Sequence, residues 1–206
     1  QTGAATFDLV TEVPPCKIFP VTFHPSYSYE DFLEGYRPKT EEEWKKSQSS
    51  PYTLDKGIFK RIKESAETNE QIDHFLIIDE INRGNISKIL GELISLLEVD
   101  YRGSEHVRTL AYSKESFFVP ENIYIIGTMN TADKSLVQID AALRRRFAFE
   151  ELLPNPAILD LPEFEDAKKY KCILEKLNAK ILNGRKEFRD KQVGHSYFLK
   201  LKTDED

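Results

Sequence analysis

The stretch Leu76–Asn85, LIIDEINRGN, decides the fold, because an apolar run stops there on two adjacent carboxylates. Residues 74–78 are almost continuously apolar, which is typical of a strand covered on both faces of a parallel sheet. Ligands bind at the carboxyl ends of such strands, where Asp79 and Glu80 stand. An aspartate there can hold the waters around Mg²⁺, and a glutamate beside it can polarise an attacking water. An ordinary solvated strand end would show the same pair, so the pair needs support from the rest of the chain.

The segments that follow repeat the alternation of strand and helix. Asn85 can cap a helix whose apolar residues, at 86, 89, 90, 93, 94 and 97, recur at spacings of three and four. A second buried strand is predicted over 123–129 and ends at Asn130. Buried strands that alternate with helices predict an α/β domain with a mainly parallel sheet.

Weaker patterns predict the remaining elements. They are a strand over 18–23, a short helix from Tyr29, a solvated loop over 39–57, an amphipathic helix over 57–69, a hairpin of 97–101 and 107–112 with Gly103 in a turn, an edge strand over 147–152 and a helix over 164–182. Pro154 and Pro156 predict a boundary that divides the chain into domains at 1–153 and 154–206.

The composition limits the classes of function. The 206 residues carry a net charge of −6, which argues against nucleic-acid binding by overall charge. Cys16 and Cys172 form neither a disulfide framework nor a zinc pattern, and His24 and His195 are isolated. No apolar run approaches the length of a membrane span, and no signal-peptide pattern begins the chain. We therefore expect a reduced, soluble, cytoplasmic protein without a histidine or cysteine metal site.

Two polar positions near the strand ends have both a structural and a functional interpretation. Asn130 follows the second buried strand, where an amide can orient water or a terminal phosphate oxygen, although Asn, Thr and Asp also favour turns. Arg83 lies just past the acids, where it can reach a phosphate or a neighbouring subunit. It can equally pair with Glu80 or Glu92 and only hold the loop.

An arginine run, LRRRF at 143–147, is predicted on a short helix that Asp140 caps. A solvated basic face is the commonest fate of such a run. A planar and permanently charged guanidinium also suits the neutralisation of a transferring phosphoryl group, as an arginine finger does. The order of acids, helix, asparagine and arginines within one α/β domain is a coherent layout for phosphoryl transfer.

These residues carry a resemblance to a known family. The run 77–98, IIDEINRGNISKILGELISLLE, resembles the second nucleotide-binding motif of AAA+ NTPases, and specifically of the McrB family, the motor subunits of modification-dependent restriction systems. Four further segments are similar to signatures of that family: TFHPSYSYEDFLEGYRP at 22–38, MNTAD at 129–133, ALRRRF at 142–147 and GHSYF at 194–198.

The resemblance implies a role for each residue of the site. Asp79 would hold Mg²⁺ through water, and Glu80 would activate the attacking water. Asn130 would sense the terminal phosphate, and Asp133 would support the same water or its neighbours. Arg145 and Arg146 would reach a nucleotide that is bound by the next subunit of a hexameric ring.

The resemblance also implies partners and a substrate. The substrate would be GTP or ATP, and a McrC-like nuclease would be the partner in the restriction of modified DNA, which a domain outside this chain would read. The aromatic segment YSYEDFLEGY, at 27–36, would face the ring's central pore and meet a stalk of the partner.

The chain departs from the family in one respect, because no Gly-Lys pair of a phosphate-binding loop occurs in it. We expect a fragment: an incomplete AAA+ P-loop-type parallel sheet without its first strand and phosphate loop, followed by a small, partial α-helical lid. Such a chain would hydrolyse no nucleotide alone. The alternatives are a non-hydrolysing AAA+ assembly module and a chaperone-like ATPase of the MoxR type, against which the NTAD and SYSYEDF segments argue.

Overall fold

The computed structural model describes residues 14–47, 50–130, 141–160, 167–183 and 186–199. The contacts of the chain divide these residues into two compact units. The first holds residues 14–130 and 141–147, and the second begins at Ala148. The division after residue 153 that the prolines predict stays a prediction.

The helices and strands alternate along the first unit. They are β1 (Cys16–Thr22), α1 (Tyr29–Phe32), β2 (Glu34–Pro38), α2 (Glu41–Ser47), β3 (Tyr52–Lys56), α3 (Ile58–Thr68), β4 (Asp73–Asp79), α4 (Ile86–Leu90), β5 (Arg108–Thr109), β6 (Ser116–Phe117), β7 (Ile123–Gly127) and α5 (Ala141–Arg144). Short 3₁₀ turns cover Ile81–Arg83, Gly91–Leu96 and Val99–Tyr101.

The central sheet has three parallel strands in the order β1–β4–β7. Thr22 of β1 lies opposite Asp79 of β4, and Ile78 lies opposite Gly127 of β7, so that the carboxyl ends of the three strands meet at one edge. Burial alternates along β4, and its fully covered residues face the core. The predicted α/β class with a parallel sheet is confirmed.

The core lies between the sheet and the helices of the first unit. Three fully buried rings contact one another in sequence: Phe23 packs edge-on against Phe32 at 6.0 Å, and Phe32 stacks on Phe59 at 5.3 Å between ring centres. Phe59 and Ile62 lie on the apolar face of α3, which begins after Gly57, as the three-and-four spacing predicts. Burying such side chains contributes roughly 1.5–3 kcal/mol each.

The solvated loop predicted over 39–57 is wrong, because this stretch forms α2 and β3. Strand β3 pairs antiparallel with β2, from Glu34 opposite Lys56 to Pro38 opposite Tyr52. Arg37 of β2 pairs with Asp55 of β3 and with Glu43 of α2, and all three side chains are 40% or more exposed. A hydrophobic pattern therefore gave no signal for these elements.

The long helix predicted from Asn85 is interrupted. Asn85 does cap α4, where its Oδ1 accepts a hydrogen bond from the amide of Lys88 at 3.1 Å. The α-helix nevertheless ends at Leu90, because Gly91 adopts a φ of +51° that other residues rarely reach, and the chain continues as a 3₁₀ turn. The apolar face is still buried, at Ile86, Ile89, Leu90, Leu93, Leu96 and Leu97.

Two further predictions about strands are wrong. The hairpin that forms near the predicted one pairs Arg108–Thr109 of β5 with Ser116–Phe117 of β6, whereas Val99–Tyr101 is a 3₁₀ turn. The half-buried side chain of Arg102 donates to the carbonyls of Leu97 and Ile123 and holds the chain in a compact bend. Burial lowers the pKa of Arg102.

No strand forms over 147–152, because this segment pairs with no strand among the described residues. It lies exposed apart from the half-buried Phe147, and it contains two glutamates. The helix before it ends at Arg144, so Arg145 and Arg146 follow the helix instead of lying on it. A backbone hydrogen bond of 2.9 Å from the amide of Arg146 to the carbonyl of Leu143 closes this turn.

The second unit is helical where it is described. It contains a 3₁₀ turn at Pro156–Asp160, the helix α6 (Ala167–Leu182), a 3₁₀ turn at Lys186–Lys191 and the helix α7 (Ser196–Leu199). The buried amide of Asn178 donates to the carbonyl of Val193 at 3.0 Å and accepts from its amide at 2.8 Å, which fixes the C-terminal segment to α6. Within the described residues, no helix combines the length and apolarity needed to cross a membrane.

Candidate functional site

The candidate site lies at the edge where the three parallel strands end. The amide of Phe23 donates to the carbonyl of Asp79 at 2.9 Å, and the amide of Thr128 donates to the carbonyl of Ile78 at 2.8 Å. One residue further on, the amide of Ile81 donates to the carbonyl of Thr128 at 2.9 Å. The backbone on either side of Glu80 is therefore held by its neighbouring strands, and the acids project from a rigid edge.

Asp79 is exposed at this edge, and a hydroxyl of the next strand orients it. The hydroxyl of Thr128 donates a hydrogen bond to Oδ1 of Asp79. The oxygen of the same hydroxyl lies 3.4 Å from the backbone nitrogen of Glu80, which donates to it. Sequence reasoning missed Thr128, because its role depends on the adjacency of β4 and β7, which a single sequence does not state.

Glu80 has an unusual backbone conformation, with a φ of +54° and a ψ of 44°. A non-glycine residue in this left-handed region costs on the order of 1 kcal/mol or more and is often found where function fixes the backbone. Nε of Arg83 lies 3.2 Å from Oε2 of Glu80. Oε2 is buried, and this approach lacks the geometry of a hydrogen bond. Of the roles considered for Arg83, the ion pair with Glu80 is thus present.

Asn130 is exposed and lies beside the acidic loop. The side-chain amide of Asn82, only 6% exposed, has its Nδ2 3.5 Å from the carbonyl oxygen of Asn130. Oδ1 of Asn82 is buried without a hydrogen-bond partner among the described residues. The structure thus brings Asp79, Glu80, Arg83 and Asn130 to one edge, and Asn82 is a second residue that sequence reasoning missed. Asp133 and Asp140 lie outside the described residues.

The arginine run forms its described ion pair with Glu98 of the first unit. Nη2 of Arg146 forms an ion pair with Oε1 of Glu98 at 2.8 Å, and its side chain is 18% exposed. Arg145 is exposed and has no ion pair with a described residue. No described contact joins either arginine to Asp79 or Glu80 of the same chain.

The aromatic segment at 27–36 is partly internal. Phe32 is fully buried, and the hydroxyl of Tyr29 donates to Oε1 of Glu92 at 2.8 Å while it accepts from the amide of Ala111 at 3.2 Å. Burial raises the pKa of Tyr29. Of these aromatic side chains Tyr36 is 59% exposed, and it packs edge-on against the ring of Tyr112.

A buried cluster of charges fixes the same segment to the β5–β6 hairpin. Glu34 is fully buried, and it accepts from Nζ of Lys60 at 2.9 Å and from the amide of Ser113 at 2.8 Å. Nζ of Lys60 also donates to Glu115 at 2.6 Å. Burial acts to raise the pKa of Glu34, but the amide of Ser113 and the ammonium of Lys60 hold it below its usual value. No pattern in the sequence predicts this cluster.

The acids of the site fit a magnesium ion that is held together with a nucleotide. Among the described residues no group of three or more His, Cys, Asp or Glu side chains gathers to hold a metal by itself. Mg²⁺ in phosphoryl-transfer sites needs only one or two carboxylates, since waters and phosphate oxygens complete its shell. Asp79 offers an exposed carboxylate with a fixed orientation, and Glu80 adds a buried oxygen without a hydrogen bond.

Comparisons with known proteins identify the family. The family model described as AAA domain (dynein-related subfamily) matches residues 5–147. The chain therefore belongs to this AAA family, as an McrB-like member, and the family predicted from the sequence is confirmed.

Two curated relatives are restriction proteins. The first, "Type IV methyl-directed restriction enzyme EcoKMcrB subunit" of Escherichia coli (strain K12), is 40% identical over 205 residues that cover 92% of this chain and 42% of the relative. The second, "Type II restriction enzyme BsuMI component YdiS" of Bacillus subtilis (strain 168), is 32% identical over 161 residues that cover 64% of this chain and 47% of the relative. The chain thus spans less than half the length of either relative.

A solved structure is also similar. It is a crystal structure of a candidate ATPase from Cytophaga hutchinsonii, with a TM-score of 0.43, 12% identity, and coverage of 80% of this chain and 47% of that chain. A likeness at this level carries no argument here.

Proposed function

We propose that this chain supplies the water-activating half of a GTP- or ATP-hydrolysing site in an McrB-like ring motor. The observation that carries the proposal is the strand-end cluster of Asp79, Glu80 and Asn130, in which Thr128 orients the first acid and Asn82 contacts the last residue. Membership of the AAA family supports it, because the family's carboxylate-bearing strand and its arginines match this order.

Each residue of the cluster has a chemical task in the proposal. Asp79, oriented by Thr128, holds the hydration shell of Mg²⁺, which when bound neutralises charge on the phosphates. Glu80 accepts a hydrogen bond from the attacking water, and Arg83 holds the Glu80 side chain against the loop. Asn130 donates its amide protons toward the terminal phosphate or the attacking water, with Asp133 as its support.

The arginines act on a different nucleotide in this proposal. A guanidinium at Arg145 or Arg146 reaches the site of the adjacent subunit, where it stabilises the charge of the transition state. Arg146 pairs with Glu98 rather than with Asp79 or Glu80 of its own chain, which supports a role in trans, since an acid and a finger of the same site would then come from different protomers. A hexameric ring supplies that arrangement.

The partner in the proposal is a McrC-like nuclease, and the output is translocation and cleavage of modified DNA. The support is the resemblance to the Escherichia coli and Bacillus subtilis relatives, whose printed names are those of restriction proteins. Tyr36 is the aromatic residue of the segment at 27–36 that lies most open to such a partner.

A non-hydrolysing assembly module is the second candidate, and the absence of a Gly-Lys pair in this chain favours it. The oriented acid argues the other way. A module that only assembles needs no hydrogen bond from Thr128 to an exposed aspartate, nor a strained Glu80 beside it.

A phosphate-release assay separates the two candidates. We expect no Mg²⁺-dependent release from GTP or ATP by the 206-residue chain alone, and we expect release by the parent protein that carries a Gly-Lys-Ser/Thr loop. A parent protein with such a loop that binds nucleotide without turnover, with its partner present, would instead establish the assembly module.

A further inference from the structure

The arginine run is fixed to the first unit at three points. Leu143 is 2% exposed within the core, and Phe147 packs against the same core. Between them, Nη2 of Arg146 forms its ion pair with Oε1 of Glu98 at 2.8 Å. The amide of Arg146 also closes the turn onto the carbonyl of Leu143. The backbone of the turn that carries Arg145 is therefore held on both sides, by Leu143 and by Arg146.

The residue that receives Arg146 is itself held firmly. Glu98 follows Leu97, which is 4% exposed and whose carbonyl accepts from the half-buried side chain of Arg102. Arg102 also donates to the carbonyl of Ile123, at the start of β7. Leu97 and Arg102 thus connect Glu98 to the start of β7. Thr128 and Asn130 follow the opposite end of that strand.

Arg145 and Arg146 differ in exposure as a result. Arg146 is 18% exposed and engaged with Glu98, whereas Arg145 is exposed and lacks an ion pair with a described residue. Consecutive side chains point in different directions, so the fixation of Arg146 onto Glu98 turns Arg145 away from that contact. An arginine finger needs a guanidinium that is free to reach another protomer and a backbone that holds it in place.

We propose that Glu98 is a positioning residue of the nucleotide site: it anchors Arg146 within its own subunit, and Arg145 is the arginine delivered to the neighbouring subunit. This inference rests on the proposed function, since it divides between two residues the role that the sequence assigned to both. Arg146 acts through the placement of the turn, and Arg145 touches the nucleotide.

The test uses the parent protein, with the maximal turnover rate, the Michaelis constant and the melting temperature measured for each variant. Arg145→Ala is expected to lower kcat at least about 100-fold without a change in melting temperature, because a finger contributes to the transition state alone. Glu98→Gln and Arg146→Gln are each expected to lower kcat about tenfold and to lower the melting temperature. Arg189→Gln, which removes an exposed ion pair to Glu151 in the second unit, is the control and is expected to change none of them.

Two rescue variants separate anchoring from direct contact. The exchange Glu98→Arg with Arg146→Glu restores an ion pair, and Arg146→Lys retains one, so both are expected to recover kcat to within about threefold of the native protein. Lysine replaces an arginine finger poorly, because it lacks the planar fork. Both rescue variants could instead have the native melting temperature and a kcat as low as that of Arg146→Gln. That result would show that Arg146 itself acts on the nucleotide, and it would overturn the inference.

Failure of the proposed function gives a different result. If the native parent protein does not hydrolyse GTP or ATP, the hydrolytic proposal fails. The role of Arg145 as an arginine finger then fails with it. The anchoring of Arg146 is then judged by the melting temperatures of Glu98→Gln, Arg146→Gln and the double variant. Additive effects would overturn the anchoring as well, and non-additive effects would support it.

Discussion

The hydroxyl of Thr128, at the end of one strand, donates a hydrogen bond to Oδ1 of Asp79, at the end of the next. The same hydroxyl accepts from the amide of Glu80, so one side chain contacts both members of the acidic pair. The parallel register places Thr128 level with Asp79, since Ile78 lies opposite Gly127. The orientation of the acids is therefore a property of the sheet rather than of the acidic loop alone.

Replacing Thr128 by valine is expected to reduce turnover in the parent protein. Valine keeps the shape and removes the hydroxyl, and a hydrogen bond to a charged group contributes about 1.5–3 kcal/mol. We therefore expect a loss of about tenfold or more in kcat/KM and a higher Mg²⁺ concentration at half-maximal rate, both measured by phosphate release. Thr128→Ser keeps the hydroxyl and is the control. Equal Mg²⁺ dependence in both variants would contradict a role for this hydroxyl in orienting Asp79.

Replacing Glu34 by glutamine is expected to destabilise the first unit at neutral pH. The change removes one partner of a buried ion pair, which costs on the order of 3 kcal/mol, although Lys60 retains Glu115. The free energy of unfolding, from urea titration at pH 7, measures the effect. Glu64→Gln removes an exposed pair with Lys56 and is expected to cost less than about 1 kcal/mol.

The same substitution is expected to change how the free energy of unfolding depends on acid pH. The pKa of Glu34 is lower in the folded protein than its usual value of 4.5, so the unfolded chain binds the proton more readily. Its contribution to stability is present above pH 4.5 and is lost as the pH falls through the lowered pKa. Stability should therefore fall less steeply below pH 4.5 in Glu34→Gln than in the native protein. Parallel profiles would show that Glu34 is not the group responsible.

Replacing Gly91 by alanine is expected to destabilise the chain by about 2 kcal/mol. Its φ of +51° with a ψ of −127° is unfavourable for any side chain, and a Cβ there would lie 2.9 Å from the ring of Tyr29. Gly194→Ala is the control, because its nearest neighbour would lie 3.5 Å away and its φ is not positive. Urea unfolding measures both. An unchanged stability of Gly91→Ala would mean that α4 can continue past Leu90 without strain.

The parts of the fold that the sequence predicted are those that local pattern determines. The apolar run of β4, the amphipathic face of α3 and the cap at Asn85 each depend on residues within one turn or one strand, and all three are present. The strand-end acids were predicted for the same reason, because the point at which an apolar run stops is visible in the sequence.

The features that the sequence did not predict depend mostly on contacts between distant residues. In the β2–β3 hairpin Arg37 pairs with Asp55 across the strands and with Glu43 of α2, a pairing of charges that hydrophobic alternation does not detect. The orientation of Asp79 by Thr128 spans 49 positions and requires the strand order. Helix α4 ends because of a single residue, Gly91, whose positive φ interrupts an apolar spacing that is otherwise helical.

The most direct test of the account is the turnover of the Glu80→Gln variant of the parent protein, measured by phosphate release from GTP and ATP together with nucleotide binding. Glutamine keeps the size of the side chain and removes its basicity, and general-base catalysis contributes about 10²–10⁴-fold. We expect a loss of at least about 100-fold in kcat with nucleotide affinity unchanged. Turnover at the native rate in this variant would contradict the assignment of Glu80, and with it the proposal that this strand end activates the attacking water.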